Sequence, residues 1–358
     1  MNDVNCNLLN KKLSFFHCEF KLNHRSMLFP FFLTKTPIII SPILSVIISC
    51  GNLPVSIIIP IFNKENYLNR SMPTVIHQTL KHIEIICIDD CSTDNSTSFI
   101  LNLMKSDSRI KLIRNLYNQG TSLTRLNGVS NARGEYIMSL DPDDLLYLYA
   151  AEKNYKNAKS SNADVLEYRM KYRSQKIYDR NWFPCKTNYT NRGDILKKFS
   201  QFKMNWNVCK RLIKRSIYSK AAEFLLPFLE GKKINVGDDL IQCGMVYFLT
   251  NRLICTHVLS YIYFINADNS ESGKYQELNL NSVQVNYGKA LIRYLYSQND
   301  ITKCSFQDFM MNQTVSNLYH QLRSIEKVPK IECKINLPNF TCTQNLQFGT
   351  CLIKRTSN

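Results

Sequence analysis

From Pro54 onward, short apolar runs alternate with windows of helical spacing, the pattern of a layered α/β sheet. Val55-Ser-Ile-Ile-Ile59 is a β-branched run closed by Pro60 and reads as a strand covered on both faces. Leu68, Met72, Val75, Ile76 and Leu80 then fall at helical spacing across Asn66–Leu80, where Pro73 implies a late helix start or a kink. Ile83–Ile88 is a second strand, ending at Asp89-Asp90, and Ser92-Thr-Asp94 caps a helix running to about Lys105. Ile110–Ile113 is a third strand. Asn118-Gln-Gly120 is a turn, Ser122–Ala132 a helix and Glu135–Leu140 a fourth strand.

In such a β-α-β-α-β-α-β run, polar clusters at the carboxyl ends of the strands face one crevice, where open parallel sheets bind ligands. Three clusters fall there: Asn63 with Glu65, Asp89 with Asp90, and Asp141 with Asp143 and Asp144. Carboxylates crowded as closely as the last three resist desolvation unless a cation offsets them. Hard oxygen ligands on neighbouring positions suit Mg²⁺ or Mn²⁺ shared with substrate phosphates. A solvated Asp-Pro-Asp turn is the bland alternative.

Composition adds a net charge of +17 over 358 residues. Between Asp164 and Lys220 there are fifteen Lys/Arg against four Asp/Glu, an expected surface for phosphate or anionic headgroups. No helix-turn-helix or zinc-finger spacing accompanies it, so nucleic acid is not an expected partner. The thirteen cysteines show no paired CxxC spacing and read as free thiols of a reducing compartment. Residues 1–53 read as a poorly ordered leader. Its apolar stretch Pro37–Cys50 is fourteen residues long, short of the roughly twenty that span a bilayer. A cytoplasmic protein, or one peripheral on the cytosolic face of a membrane, is expected, ahead of a single N-terminal anchor.

Taken in order, these motifs resemble glycosyltransferase family 2, nucleotide-sugar enzymes of the GT-A fold. Val55-Ser-Ile-Ile-Ile-Pro-Ile-Phe-Asn63 resembles the family's first-strand motif, and Asp89-Asp90-Cys-Ser-Thr-Asp94 its Asp-Asp-Gly-Ser-Thr-Asp signature. Arg133-Gly-Glu-Tyr-Ile137 followed by Asp141-Pro-Asp-Asp144 is similar to its DXD segment. The likeness implies a catalytic domain over 54–270, with a Rossmann-like nucleotide-sugar half at 54–150 and an acceptor half at 151–270. A mainly helical extension over 271–358 is expected from patches at Val283–Tyr296 and Phe306–Ile325.

The resemblance also implies roles. Pro60, Phe62, Asn63 and Glu65 would line the nucleotide base, Asp90 would accept from the uracil ring nitrogen, and Arg125 would stand near the phosphates. Asp141 would sit near ribose or metal, and Asp143 would ligate Mn²⁺ or Mg²⁺ on the diphosphate. Asn235-Val-Gly-Asp-Asp-Leu-Ile241 resembles the family's acidic segment before a helix, with Asp239 in the position of the general base. Inverting transfer of a hexosyl or N-acetylhexosaminyl group from a UDP-sugar to a glycan, lipid or protein acceptor follows. Departures are Cys91 for a glycine, Leu126 where an asparagine often follows the arginine, and Asp238 for glutamate. Two rivals remain: a catalytically inactive adaptor, favoured if Asp239 is buried away from the crevice, and a nucleotidyltransferase. The second needs a glycine-rich loop after the first strand, and Pro60-Ile-Phe-Asn-Lys64 has none.

Overall fold

The structure is a computed structural model that describes residues 53–173, 180–182, 187–200, 204, 207–229, 238–264, 340–345 and 350–355. The leader, its apolar stretch and the expected helices between 271 and 339 lie outside the described residues.

The first half builds as the sequence pattern requires. Strands β1 (Val55–Ile61), β2 (Ile83–Asp89), β3 (Ile110–Asn115) and β4 (Tyr136–Ser139) alternate with α1 (Glu65–Ile76), α2 (Ser96–Met104) and α3 (Thr121–Asn131). They lie parallel in the order β3-β2-β1-β4. Val55, Ile57, Ile59 and Ile61 pack on one face with α1 and α2, while Ile58 packs on the other with α3. Both faces are covered, so β1 has almost no polar alternation. Pro73 neither delays nor ends α1; it lies exposed within the helix, where the carbonyl its missing N–H leaves free faces solvent.

Gly128 of α3 packs so tightly that a Cβ would meet Ile88 and Ile58 at 2.6 and 2.7 Å, bringing the helix close to the sheet. That approach carries Arg125, one turn earlier, over the end of β4.

The second half continues the same sheet in mixed sense. The sheet runs on through β8 (Arg211–Lys214), β6 (Val165–Arg173), the long β9 (Leu253–Phe264) and the short β5 (Leu145–Leu146), and β7 (Arg180–Trp182) pairs with β6. Around it lie α4 (Ala150–Ser161), α5 (Arg192–Ser200), α6 (Arg215–Leu229) and α7 (Asp238–Leu249), with a 3₁₀ turn at Val208–Lys210.

Three features depart from the sequence reading. Residues 340–345 and 350–355 form a hairpin, β10 and β11, and β11 pairs antiparallel with β3 at the sheet edge. Part of the tail is therefore sheet, in a polar stretch too irregular to announce a strand. Within the basic stretch, Lys210 and Arg211 are fully buried around Glu167, Lys210 at 2.8 Å, so those charges add nothing to the surface. Burial lowers the Lys210 pKa against the pull of Glu167.

The third departure concerns the thiols. Cys87, Cys209 and Cys243 are free and buried, whereas Cys91, Cys255 and Cys351 are disulfide-bonded, against the expectation of free cysteines throughout. Scattered spacing along a chain does not show which sulfurs the fold brings together. Among the described residues no helix is long and apolar enough to cross a membrane.

Candidate active site at the carboxyl ends of the first and fourth strands

The loop after β1 is joined to the loop after β2 by reciprocal hydrogen bonds. The Asn63 backbone N–H donates to Ser92 Oγ at 3.0 Å, and Asn63 Oδ1 accepts from the Thr93 N–H at 2.8 Å. Glu65 Oε2 accepts from the Asn95 N–H at 2.8 Å. Asp94 accepts from the N–H groups of Glu65 and Ser96, so one carboxylate caps both α1 and α2. Asn63 and Cys91 take left-handed φ values of 49° and 67°. The cysteine thus keeps a glycine-like turn, at the strain an L-residue carries there. Pro60 is buried within β1 and Phe62 is half-buried just past its end.

Asp89 and Asp90 are interior groups. Asp89 accepts from the Ser92 N–H and the Thr97 hydroxyl and pairs with Arg114 at 3.1 Å. Asp90 accepts from the N–H groups of Gln119 and Gly120, both at 2.8 Å, and from Asn115 Nδ2 at 2.7 Å. Burial pushes its pKa up to about 6 against those hydrogen bonds. Its present contacts close the turn before α3, where Gly120 has φ 83°. Leu126 is core, and a buried asparagine stands one residue later, Asn127 reaching Asn115 and Gln119 at 3.3 Å.

The loop after β4 is built differently. Arg125, 3% exposed, donates through Nη2 to Asp141 at 3.0 Å and through Nη1 to Asp238 at 2.5 Å and Asp239 at 3.2 Å. One guanidinium from the donor half thereby joins the first carboxylate of the Asp-Pro-Asp loop to both acidic residues opening α7. Asp239 is not buried away from the crevice: its side chain is 22% exposed. Burial and the neighbouring Asp238 push its pKa up to about 8, with Arg125 opposing. Asp238 also stays raised by burial, although Arg125 pulls it down. Both lie in the first turn of α7, where the helix dipole favours acids, so that structural reason holds beside the chemical one.

Asp143 meets Lys64 at 2.9 Å, and its carbonyl accepts from Arg70 Nη2 at 2.6 Å. Asp144 faces inward, accepting from Tyr261 Oη at 2.7 Å and the Phe264 N–H at 2.8 Å. Burial, then the charges of Asp143 and Asp141, push the Asp144 pKa well up. Tyr261 Oη also accepts from the Asp141 N–H at 3.1 Å. Lys64 and Arg70 had no assigned role in the sequence reading, and Tyr261-Ile-Tyr-Phe264 resembled the family only weakly, as a segment flanking the acceptor half. A lysine directly following Asn63 was the available signal for the first; the others act from elements whose proximity the sequence does not show.

A divalent cation fits this donor set. Asp141 and Asp143 offer hard oxygen donors two positions apart, each spending one oxygen on a cationic side chain. Among the described residues no three His, Cys, Asp or Glu side chains are grouped to hold a metal unaided. Two carboxylates completed by phosphate oxygens are the arrangement that fits.

Comparison with known proteins bears on the family and the fold. Residues 56–220 match the family described as Glycosyl transferase family 2. An uncharacterized glycosyltransferase of Haemophilus influenzae is 43% identical over 96 residues, 26% of this chain and 38% of the relative. The GalNAc(5)-diNAcBac-PP-undecaprenol beta-1,3-glucosyltransferase of Campylobacter jejuni is 37% identical over 111 residues, 31% of this chain and 36% of the relative. The matches thus span well under half the length of those relatives. Among solved structures, S. aureus TarS 1-349 in complex with UDP-GlcNAc aligns with TM-score 0.54 at 15% identity, over 77% of this chain and 76% of that one. At that identity the likeness speaks for the fold. Strand order and the likeness to TarS show a GT-A fold, within which residues 56–220 match the glycosyl transferase family 2 domain.

Proposed function

We propose that the chain is an inverting glycosyltransferase that moves a hexosyl or N-acetylhexosaminyl group from a UDP-sugar to an acceptor hydroxyl. The observation carrying the proposal is the Arg125 bridge, which holds Asp141 and Asp239 at one place on the surface. An inactive adaptor has no use for an acidic helix start brought to the donor loop, and the glycine-poor loop after β1 argues against a nucleotidyltransferase.

In this reading Asp239 takes the proton of the acceptor hydroxyl as the new glycosidic bond forms and the bond to the diphosphate breaks. Asp238, Arg125 and the Val208 N–H keep its carboxylate oriented. Asp141 and Asp143 would hold Mn²⁺ or Mg²⁺, which offsets the charge growing on the departing diphosphate. The base would rest against the loop of Pro60, Phe62, Asn63 and Glu65. Asp90, already accepting three protein hydrogen bonds, keeps spare lone pairs for a uracil N–H. The UDP-GlcNAc complex of TarS and the undecaprenol-linked substrate of the C. jejuni relative support a UDP-linked donor and a glycan or lipid-linked acceptor for this chain too. A cytosolic, peripheral position at a membrane suits such an acceptor.

The test is binding and hydrolysis of a panel of UDP-, GDP- and other nucleotide-sugars by purified protein, with and without Mn²⁺, beside Asp143→Ala and Asp239→Ala. Metal-dependent turnover of one donor, lost in both variants, is expected. Absence of any nucleotide binding would sink the proposal.

A further inference from the structure

Lys64 has no place in the site roles the motifs imply, yet it holds the carboxylate on which the cation reading depends. Its Nζ lies 2.9 Å from Asp143 Oδ2, with the two side chains only 15% and 18% exposed. Burial disfavours the ammonium, but Asp143 outweighs burial and holds its pKa above the usual value. Asp143 therefore carries a counter-charge before any substrate or metal arrives.

The surroundings decide which partner can yield. The Asp143 loop is fixed on several sides. Asp141 N–H is held by Tyr261 Oη, the Asp144 N–H by the Asp141 carbonyl, and the Asp144 carboxylate by Tyr261 and Phe264. The Asp143 carbonyl is held by Arg70, whose guanidinium lies 3.9 Å over the Phe264 ring. β5 completes the clamp by pairing Leu145 and Leu146 with Ile262 and Tyr261 of β9. Displacing the Asp143 backbone would break several of these contacts at once, and with a single methylene its carboxylate swings only a short way from that backbone.

Apart from its ion pair, Lys64 is held among the described residues through its backbone: its N–H donates to Ser96 Oγ at 2.9 Å and its carbonyl accepts from the N–H groups of Tyr67 and Leu68. Four methylenes separate that anchor from the ammonium, and the Tyr67 ring, 5.2 Å from Nζ, offers a second place for the charge.

Resting on the reading of Asp143 as a cation ligand, we propose that Lys64 is an exchangeable counter-ion. In the donor-free protein it occupies Asp143. On binding of a nucleoside diphosphate with its divalent cation, Lys64 releases Asp143 and re-forms its ion pair with a diphosphate oxygen. The ammonium keeps its proton and one ion pair is exchanged for another, so no net charge is left uncompensated in the half-buried site. Lys64 thus opposes the free cation and favours the cation–diphosphate pair, which keeps an unloaded site from filling with metal alone.

The test uses the full chain and Mn²⁺ as the probe, with free Mn²⁺ followed by electron paramagnetic resonance and UDP affinity by calorimetry. Lys64→Met keeps the aliphatic stem over Tyr67 and removes the charge. The donor-free variant is expected to bind Mn²⁺ about fivefold tighter than wild type, while UDP at saturating Mn²⁺ binds about tenfold weaker. Lys64→Arg should restore both values in part, which separates loss of charge from loss of fold. Unchanged or weaker Mn²⁺ binding in Lys64→Met, with binding still lost in Asp143→Asn, overturns the role of Lys64 alone. No Mn²⁺ binding by wild type or Lys64→Met, with or without UDP, overturns the cation reading of Asp143 and this proposal with it. UDP binding that needs Lys64 but no metal would also overturn it, by making the lysine a permanent substitute for the ion.

Discussion

The ends of β2 and β4 both carry closely spaced acidic residues, and the fold treats them in opposite ways. Asp89 and Asp90 are satisfied mainly by backbone N–H groups, hydroxyl and amide donors from their own lobe, with Arg114 alone adding charge. Asp141 and Asp143 are satisfied by the side-chain cations Arg125 and Lys64. Backbone donors do not leave without unfolding a turn, whereas a side-chain cation can change partners. The first arrangement builds a loop; the second leaves carboxylates available for chemistry. Asp144, one residue beyond Asp143, belongs with the first kind, being spent on Tyr261 and the Phe264 backbone.

The largest expected effect tests the β4 side at its far end. Asp239→Asn keeps the size of the side chain and removes the base, and kcat should fall by about 10²–10⁴ with UDP affinity little changed. A small loss would break the assignment of Asp239.

The comparison itself is sharpened by paired amide substitutions. Asp90→Asn replaces one of the two accepting oxygens by an NH₂ group, which faces the N–H of either Gln119 or Gly120 and leaves a buried donor unmet. Chemical denaturation should show a loss of roughly 2–4 kcal/mol. Asp143→Asn should cost under ~1 kcal/mol of stability, because its partner Lys64 regains solvent, yet abolish Mn²⁺ binding. Equal stability losses would erase the distinction between the two loops.

A third expectation concerns the brace behind the β2 loop. Cys351 of β11 is in register with Arg114, and Thr350 with Asn115, the two residues that grip Asp89 and Asp90. Removing residues 340–358 uncovers the edge of β3 and takes away the buried Cys351 and Ile353, and in reducing buffer should cost roughly 2 kcal/mol. Hydrogen exchange over Ile110–Asn115 should accelerate first; unchanged protection there would show that the hairpin is dispensable.

The pH profile comes next. A base must be ionised to accept a proton, so with Asp239 near 8 the value of kcat/KM should rise about tenfold per pH unit up to that limb and then level. Asp238→Asn removes the carboxylate that disfavours the Asp239 charge and lets Arg125 attend to Asp239, so the limb should move to lower pH. A limb that stays fixed would separate the two residues. The smallest effect is expected at Cys91. In reducing buffer Cys91→Gly relieves the left-handed φ but loosens the unfolded chain, and stability should change by less than about 1 kcal/mol.

Much of the donor half was legible beforehand. β1 to β4 fall where the apolar runs stand, the turn at Gly120 forms, and the acidic clusters sit at strand ends as the βα pattern demands. Three points were not legible. Cys91 in a glycine position raised a doubt about the turn that only φ resolves. Lys210 and Arg211 read as surface charge, but a run of basic residues carries no sign of the single buried Glu167 that draws two of them inward. The hairpin at 340–355 depends on the exposed edge of β3, more than two hundred residues earlier in the chain.

By itself, then, the sequence determined the parallel half-sheet and the positions of its carboxylates, because alternation of apolar runs is a local property that burial reads directly. The tertiary structure decided what surrounds each carboxylate. Whether an aspartate anchors a turn or pairs with a side-chain cation depends on which donors reach it. Those donors come from α1, α3 and β9, elements that only packing brings to the end of β4.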